Sequence, residues 1–283
     1  MPLQLTVGPP QLVIHDGRTV WAAEPDGSLN LTSSKGLMFN DTRVLSHWAI
    51  YANGENWLLL NGAAISHFAA RVYLTNPRIE TQSGEIPEHS LGLEISRWMD
   101  GGIHEGLHLA NFSLLPVSFA LEVALRSDFA DVFEVKSSHF VRRGQITTTW
   151  DEPTQTLRTA YHNQDFARAL DVTCQADCRA AYANGRISFD ITLAPGAKWH
   201  GRLLYDLEDG ATVLKAPTAG LADYRDSRPG RSLVAWRAAS TNLTSANEEY
   251  YRLFHQAVDD IIALRLPIEE DGQQYVVPAA GLP

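Results

Sequence analysis

Along most of the chain, apolar and polar positions alternate in short runs, and Asp-Gly or Asn-Gly dipeptides close the runs off. Asp-Gly begins at 16, 26, 100, 209 and 271, and Asn-Gly at 53, 61 and 184. Both dipeptides tolerate the positive φ that two-residue hairpin turns demand. Between them lie QLVIH (11–15), TVWAA (19–23), HWAIYA (47–52), WLLLN (57–61) and LGLEISRWM (91–99). LHLANFSLL (107–115), FALEVALRS (119–127), ISFDITL (187–193) and WHGRLLYDL (199–207) continue the series. Many short strands with frequent turns predict an all-β fold, a large antiparallel β-sandwich spanning 1–220.

The pattern changes near residue 240. Tyr250, Leu253, Phe254, Val258, Ile261 and Leu264 recur at three-and-four spacing, which predicts an amphipathic linker helix over about 245–264. Ser245 and Glu248 stand in capping-box spacing at its start, and Pro267 lies beyond its end. The Arg-, Ser-, Gly- and Ala-rich stretch before it reads as an extended connector, so 221–266 is expected to be connector plus helix. The apolar run QQYVVPAAGLP closes the chain without a polar tail. That ending predicts a cut, with 267–283 opening a further domain.

Composition narrows the class. The 283 residues are 45% hydrophobic and 20% charged, with a net charge of -10. The acidic balance argues against nucleic acid as a partner. No window approaches the roughly 18 uninterrupted apolar residues of a membrane span. The first residues lack the basic and apolar regions of a secretory signal, and a cytoplasmic location is expected. Cys174 and Cys178 fall in a run whose small and apolar residues take the even positions, a half-buried strand. Four residues of strand span roughly 13 Å, too far for a disulfide, so both are expected as core thiols.

Three candidate chemistries stand out. SDFADVFEV (127–135) places Asp128, Asp131 and Glu134 among apolar residues, and paired carboxylates are what glycoside hydrolysis uses. As a strand, the stretch would put Asp128 and Glu134 on one face and Asp131 on the other, with the outer two about 20 Å apart. A bend at Ala130-Asp131 would gather them. A structural corner explains the pattern better: Asp side chains cap backbone N–H groups while Phe129 and Phe133 anchor to the core. Asp41 and Arg43, two apart, would share a strand face as an ion pair. Arg71, Arg97, Arg142 and Arg143 raise the same question without a discriminating spacing. HEGLH (104–108) has zincin spacing, but in a strand its histidines lie about 13 Å apart, so no metal is expected. Of the seven tryptophans, Trp48, Trp98 and Trp199 read as core, and Trp57 and Trp150 as exposed candidates for stacking on sugar rings.

SDFADVFEV also resembles the Asp-Phe-Ala-Asp-x-Phe-Glu-Val signature in the N-terminal domain of bacterial glycogen-debranching enzymes of the amylo-α-1,6-glucosidase type. GLMFNDTRVLSHW (36–48), YANGENWLLL (51–60), LEISRWMDGGIHEGLHLANFS (93–113) and DDIIALRL…AAGLP (259–283) resemble further blocks of that family, in order. Lys136-Ser137 depart from the Arg-Gly that commonly follows there. The resemblance implies a supersandwich whose catalytic partner is a C-terminal (α/α)6 barrel, no cofactor, and no catalytic residue in this chain. Asp41, Arg43, Trp57, Asp128, Asp131 and Glu134 then become substrate-rim or interdomain candidates. An α-glucan oligosaccharide and a second copy of the chain are the further expected partners. An independent carbohydrate-binding module is the alternative, and a self-sufficient hydrolase the third reading.

Overall fold

The computed structural model describes residues 10–31, 34–81, 84–141, 143–210, 212–217 and 223–279. Arg142, the start of the connector at 218–222 and the closing Gly281-Leu282-Pro283 lie outside these residues. Among the described residues the alternating runs form strands joined by antiparallel ladders. One nine-stranded sheet faces two five-stranded sheets. Its central ladder runs Phe166–Ala176, Lys198–Asp209, Gly102–Asn111, Leu91–Asp100 and Ala69–Thr75. One five-stranded sheet centres on Val117–Arg126, paired with His47–Ala52 and Arg186–Leu193. The other holds Leu12–Asp16, Thr19–Ala23, Gly36–Phe39, Thr42–Leu45 and the two-residue strand Ala130–Asp131. A large antiparallel β-sandwich followed by a helix is the architecture.

A single apolar core joins all three sheets. A buried ionic group lies at its centre. The Arg97 guanidinium sits 3.9 Å over the Trp21 ring and 4.7 Å over Trp48, and pairs with Glu105 at 2.5 Å. Tyr205 donates to Glu105 at 2.8 Å and accepts from the Trp48 indole at 3.0 Å. The desolvation cost of burying the pair is offset only because each charge meets partners of matched geometry. Arg97 is therefore structural.

Several turns follow the dipeptides. Asn53-Gly54, Asn184-Gly185 and Asp271-Gly272 have positive φ at both residues, as type I′ hairpins require. Asn61-Gly62 does not turn; it lies inside the strand Leu58–Ser66, where a Cβ at Gly62 would meet the Pro25 carbonyl oxygen at 2.0 Å. Its glycine serves close approach. LHLANFSLL stops short as a strand, because the Asn111 side chain accepts from the Ser113 N–H and donates to the Leu115 carbonyl. Cys174 is buried in its strand and Cys178 half-buried just past its end, both as free thiols.

The helices correct two expectations. The connector is not extended: it carries a 3-10 turn at Tyr224–Asp226 and a helix, with Ser227 capping the Gly230 N–H and a proline in the first turn. With a six-residue helix Val132–Ser137 (α1) earlier in the chain, these are α2 (Arg228–Ala239) and α3 (Glu248–Ala263). The cap of α3 is Asn247 rather than Ser245; its side chain accepts from the Glu249 and Tyr250 N–H groups. Both helices pack on the outer face of the nine-stranded sheet, around Phe68, Ala69, Trp98, Leu233 and Ile262. Trp236 donates to the Val258 carbonyl at 2.8 Å and Arg237 pairs with Asp259, which locks α2 to α3. After α3, Arg265–Glu270 and Gln273–Pro278 form a hairpin. No helix among the described residues is long and apolar enough to cross a membrane.

Candidate functional site

The SDFADVFEV stretch is not one strand. Phe129 takes φ 51°, the left-handed region, and turns the chain. Ala130-Asp131 then pair briefly with Thr42-Arg43 before α1 begins. Asp131 is the N-cap of α1: it accepts from the Phe133 N–H at 2.8 Å, while Glu134 accepts from the Asp131 N–H at 3.1 Å. That is a reciprocal capping box. Glu134 also takes Arg143 at 2.9 Å. The bend overturns the alternating-face reading and its wide separation, since Asp128, Asp131 and Glu134 all line one cleft of about 360 Å³.

Asp128 has a different task. Arg43 is fully buried, and its guanidinium grips Asp128 through Nε at 3.2 Å and Nη2 at 2.5 Å, a forked contact. It also donates to the Lys35 carbonyl and lies 5.2 Å from the Phe140 ring centroid. The expected Asp41–Arg43 pair is replaced by Arg43–Asp128. Asn40 and Asp41 form a turn with φ of 44° and 63°, so Asp41 points to solvent rather than along Arg43's strand face. Phe129 is buried and stacks on Tyr161 at 5.7 Å, as an anchor should. Phe133 does not anchor; it is 75% exposed, because residues 131 and 133 became helix N-cap and N2 instead of strand neighbours.

The cleft thus joins carboxylates already committed to hydrogen bonds with an exposed apolar rim of Phe140, Val141 and Phe166. Asn40 and Asp41 also line the adjoining cleft, whose far wall is Leu264, Arg265 and Leu266. The two clefts form one continuous face from α1 to the end of α3. Trp57 is not part of it. It is buried in the core and packs edge-on against Phe119 at 6.4 Å, since it faces inward where the turn at 53–54 returns the chain. Trp150 is half-buried and stacked on Tyr182. Of the other arginines, Arg71 pairs with Glu94.

A separate cleft, of about 400 Å³, lies on the outer face of the nine-stranded sheet. Arg71, Ser96, Gly106, Arg202 and Gln175 stand in one cross-strand row. Beside them Glu94, His108 and His200 form a second row, with His108 and His200 joined Nδ1 to Nδ1 at 2.8 Å. Trp98 and His104 stack at 3.8 Å on the other side. Burial holds the His104 imidazole down to about 3, with Arg202 and His108 adding to the effect. His104 and His108 occupy one strand, as the alternation of GIHEGLHLAN requires. His200 and Arg202, read only as strand residues in sequence, gain their meaning from the register that sets them beside His108 and Gly106.

A family model described as the N-terminal domain of (some) glycogen debranching enzymes matches residues 14–203. No curated protein matches the chain. Among solved structures, the Slr1438 protein of Synechocystis sp. PCC 6803 is 10% identical, covering 73% of this chain and 99% of that one, with a TM-score of 0.43. A putative aldose 1-epimerase of Escherichia coli K12 is 9% identical, covering 71% and 99%, with a TM-score of 0.40. A galactose mutarotase related enzyme of Lactobacillus acidophilus is 6% identical, covering 73% and 100%, with a TM-score of 0.39.

Proposed function

The chain belongs to the family of N-terminal domains of glycogen debranching enzymes, and from that premise we propose that it acts as the non-catalytic brace of an α-1,6-glucosidase barrel. In this reading the face that runs from α1 to the end of α3 receives the barrel and shapes the approach of α-glucan. The observation that carries it is the division of labour on that face. Asp128, Asp131 and Glu134 are each engaged by a cation or a backbone N–H, while Phe140, Phe166 and Leu264 are left in water. Exposed apolar side chains around satisfied charges suit a docking surface, where each Å² covered contributes about 25 cal/mol. A carboxylate already holding Arg43 or a helix cap is poorly placed to shuttle protons to a sugar. The free thiols suit a reducing cytoplasm.

The test is glucose release from a branched α-glucan limit dextrin. The chain by itself should release none. Turnover by the purified chain that disappears in Asp131→Asn would overturn the reading.

A further inference from the structure

The cleft on the outer sheet face has no part in the docking face, and its construction suits a ligand. Its floor is lowered by a glycine: a Cβ at Gly106 would come within 2.7 Å of Ser96 Oγ and 2.9 Å of His108 Nε2. The strand row therefore keeps an open bed where any other residue would fill it. One wall is the turn carrying Asp223 and Tyr224, and Tyr224 presents a half-exposed ring beside the polar floor. A volume of about 400 Å³ falls within the roughly 300–1,000 Å³ of small-molecule sites.

Two polar atoms in this cleft lack a protein partner. They are His104 Nδ1 and Trp98 Nε1, on side chains that are 3% and 6% exposed. A buried donor or acceptor left unmade costs about 1–3 kcal/mol, so the stacked Trp98 and His104 give the wall of the cleft polarity that the protein itself does not satisfy. The second constraint is charge. Arg71 and Arg202 face Glu94, Asp177 and Asp223 around the cleft, and much of that charge is already paired. Arg71 meets Glu94 at 3.0 Å and Asp223 meets Arg225 at 2.8 Å. A phosphate would meet the Glu94, Asp177 and Asp223 carboxylates beside the two arginines, and a lipid would find a polar floor. Arginine donors and a serine hydroxyl beside a histidine pair that can donate and accept, set at the spacing of neighbouring strands, match adjacent hydroxyl groups.

We infer that this cleft binds a neutral carbohydrate, a short stretch of α-glucan, with its hydroxyls on the Arg71–Ser96–Arg202 row and the His108–His200 pair. The choice of glucan among neutral sugars rests on the family reading above. The site would hold a chain of the polymer on the sheet, away from the face that docks the barrel.

The test is calorimetric titration of the 283-residue chain with maltotriose, isomaltose and glucose 1-phosphate. Maltotriose or isomaltose should bind with a millimolar Kd. Arg71→Met and His200→Ala should each weaken it tenfold or more, whereas Asp131→Asn in the other cleft should leave it unchanged. These side chains are partly exposed, and circular dichroism checks that each variant stays folded. In the unaltered chain, imidazole NMR signals of His104 should move on titration. Absence of binding at 20 mM sugar, binding indifferent to both cleft variants, or tighter binding of glucose 1-phosphate would each overturn the proposal. None of these outcomes touches the docking reading, whose own test is the catalytic inertness of the chain.

Discussion

Arg43 and Asp128 lie 85 residues apart and meet because Phe129 turns the chain back on the strand Thr42–Leu45. Removing one member of a buried pair leaves the other charge without a partner. Asp128→Ala should therefore cost about 3 kcal/mol in urea unfolding, while Asp131→Ala, which loses a helix cap, should cost only about 1 kcal/mol. Equal costs would mean that the Arg43 contact carries no special weight. The three carboxylates that line the cleft, and the corner that gathers them, were legible in the sequence. The partner was not, because periodicity places residues on faces within a run and says nothing of which run lies alongside. Phe133 was misplaced for the same local reason, as one left-handed residue at 129 resets the register of every side chain after it.

Histidines give a second prediction at this scale. Burial holds His104 down to about 3 and His67 down to about 4, so both stay neutral in the fold, whereas in the unfolded chain they take protons near 6.5. Below pH 6.5 the unfolded chain binds protons that the folded chain does not. Stability present above that pH is lost as pH falls towards the folded values, by at most about 1.4 kcal/mol per pH unit for each group. The urea midpoint should drop between pH 7 and pH 5, and His104→Gln should flatten the slope. An unchanged midpoint over that range would contradict the assignment.

At the scale of elements, α3 separates what the helix needs from what it offers. Ile262 is buried against Trp98 and Leu233, whereas Tyr250, Leu253 and Ile261 are 58%, 63% and 54% exposed. Ile262→Ala should cost about 2–4 kcal/mol, and the pair Leu253→Asp with Ile261→Asp should change stability by no more than about 0.5 kcal/mol each. The same pair should abolish self-association, seen as a sedimenting dimer at micromolar concentration in the unaltered chain. A strict monomer before and after substitution would show that the stripe recruits no second copy. The stripe itself was legible in the three-and-four spacing of its apolar residues. The preceding α2 was not, since Pro229 and Gly230 in its first turn read as breakers unless Ser227 is recognised as the cap that makes a proline there favourable.

For the whole molecule, the strand Val117–Arg126 is the keystone of its sheet, pairing with residues around 50 on one side and around 190 on the other. Segments far apart in sequence thus share one core, and the sandwich should unfold in a single transition. Limited proteolysis that released two stable fragments divided near residue 120 would contradict this. The all-β class and several of the hairpins were visible in the turn dipeptides. The outer cleft was not, because it depends on the register of five strands drawn from residues 69 to 209.

The unequal burial of the two thiols makes the chain its own labelling reagent. Cys174 is enclosed and pushed up to about 12, so it presents almost no thiolate in the native state, while the half-open Cys178 packs against the edge of the core, next in sequence to the cleft-lining Asp177. A maleimide fluorophore should add once to the folded protein and twice in denaturant. With no engineered cysteine, that single dye would sit one residue from the cleft-lining Asp177, where a change in its emission on adding sugar would report binding next door.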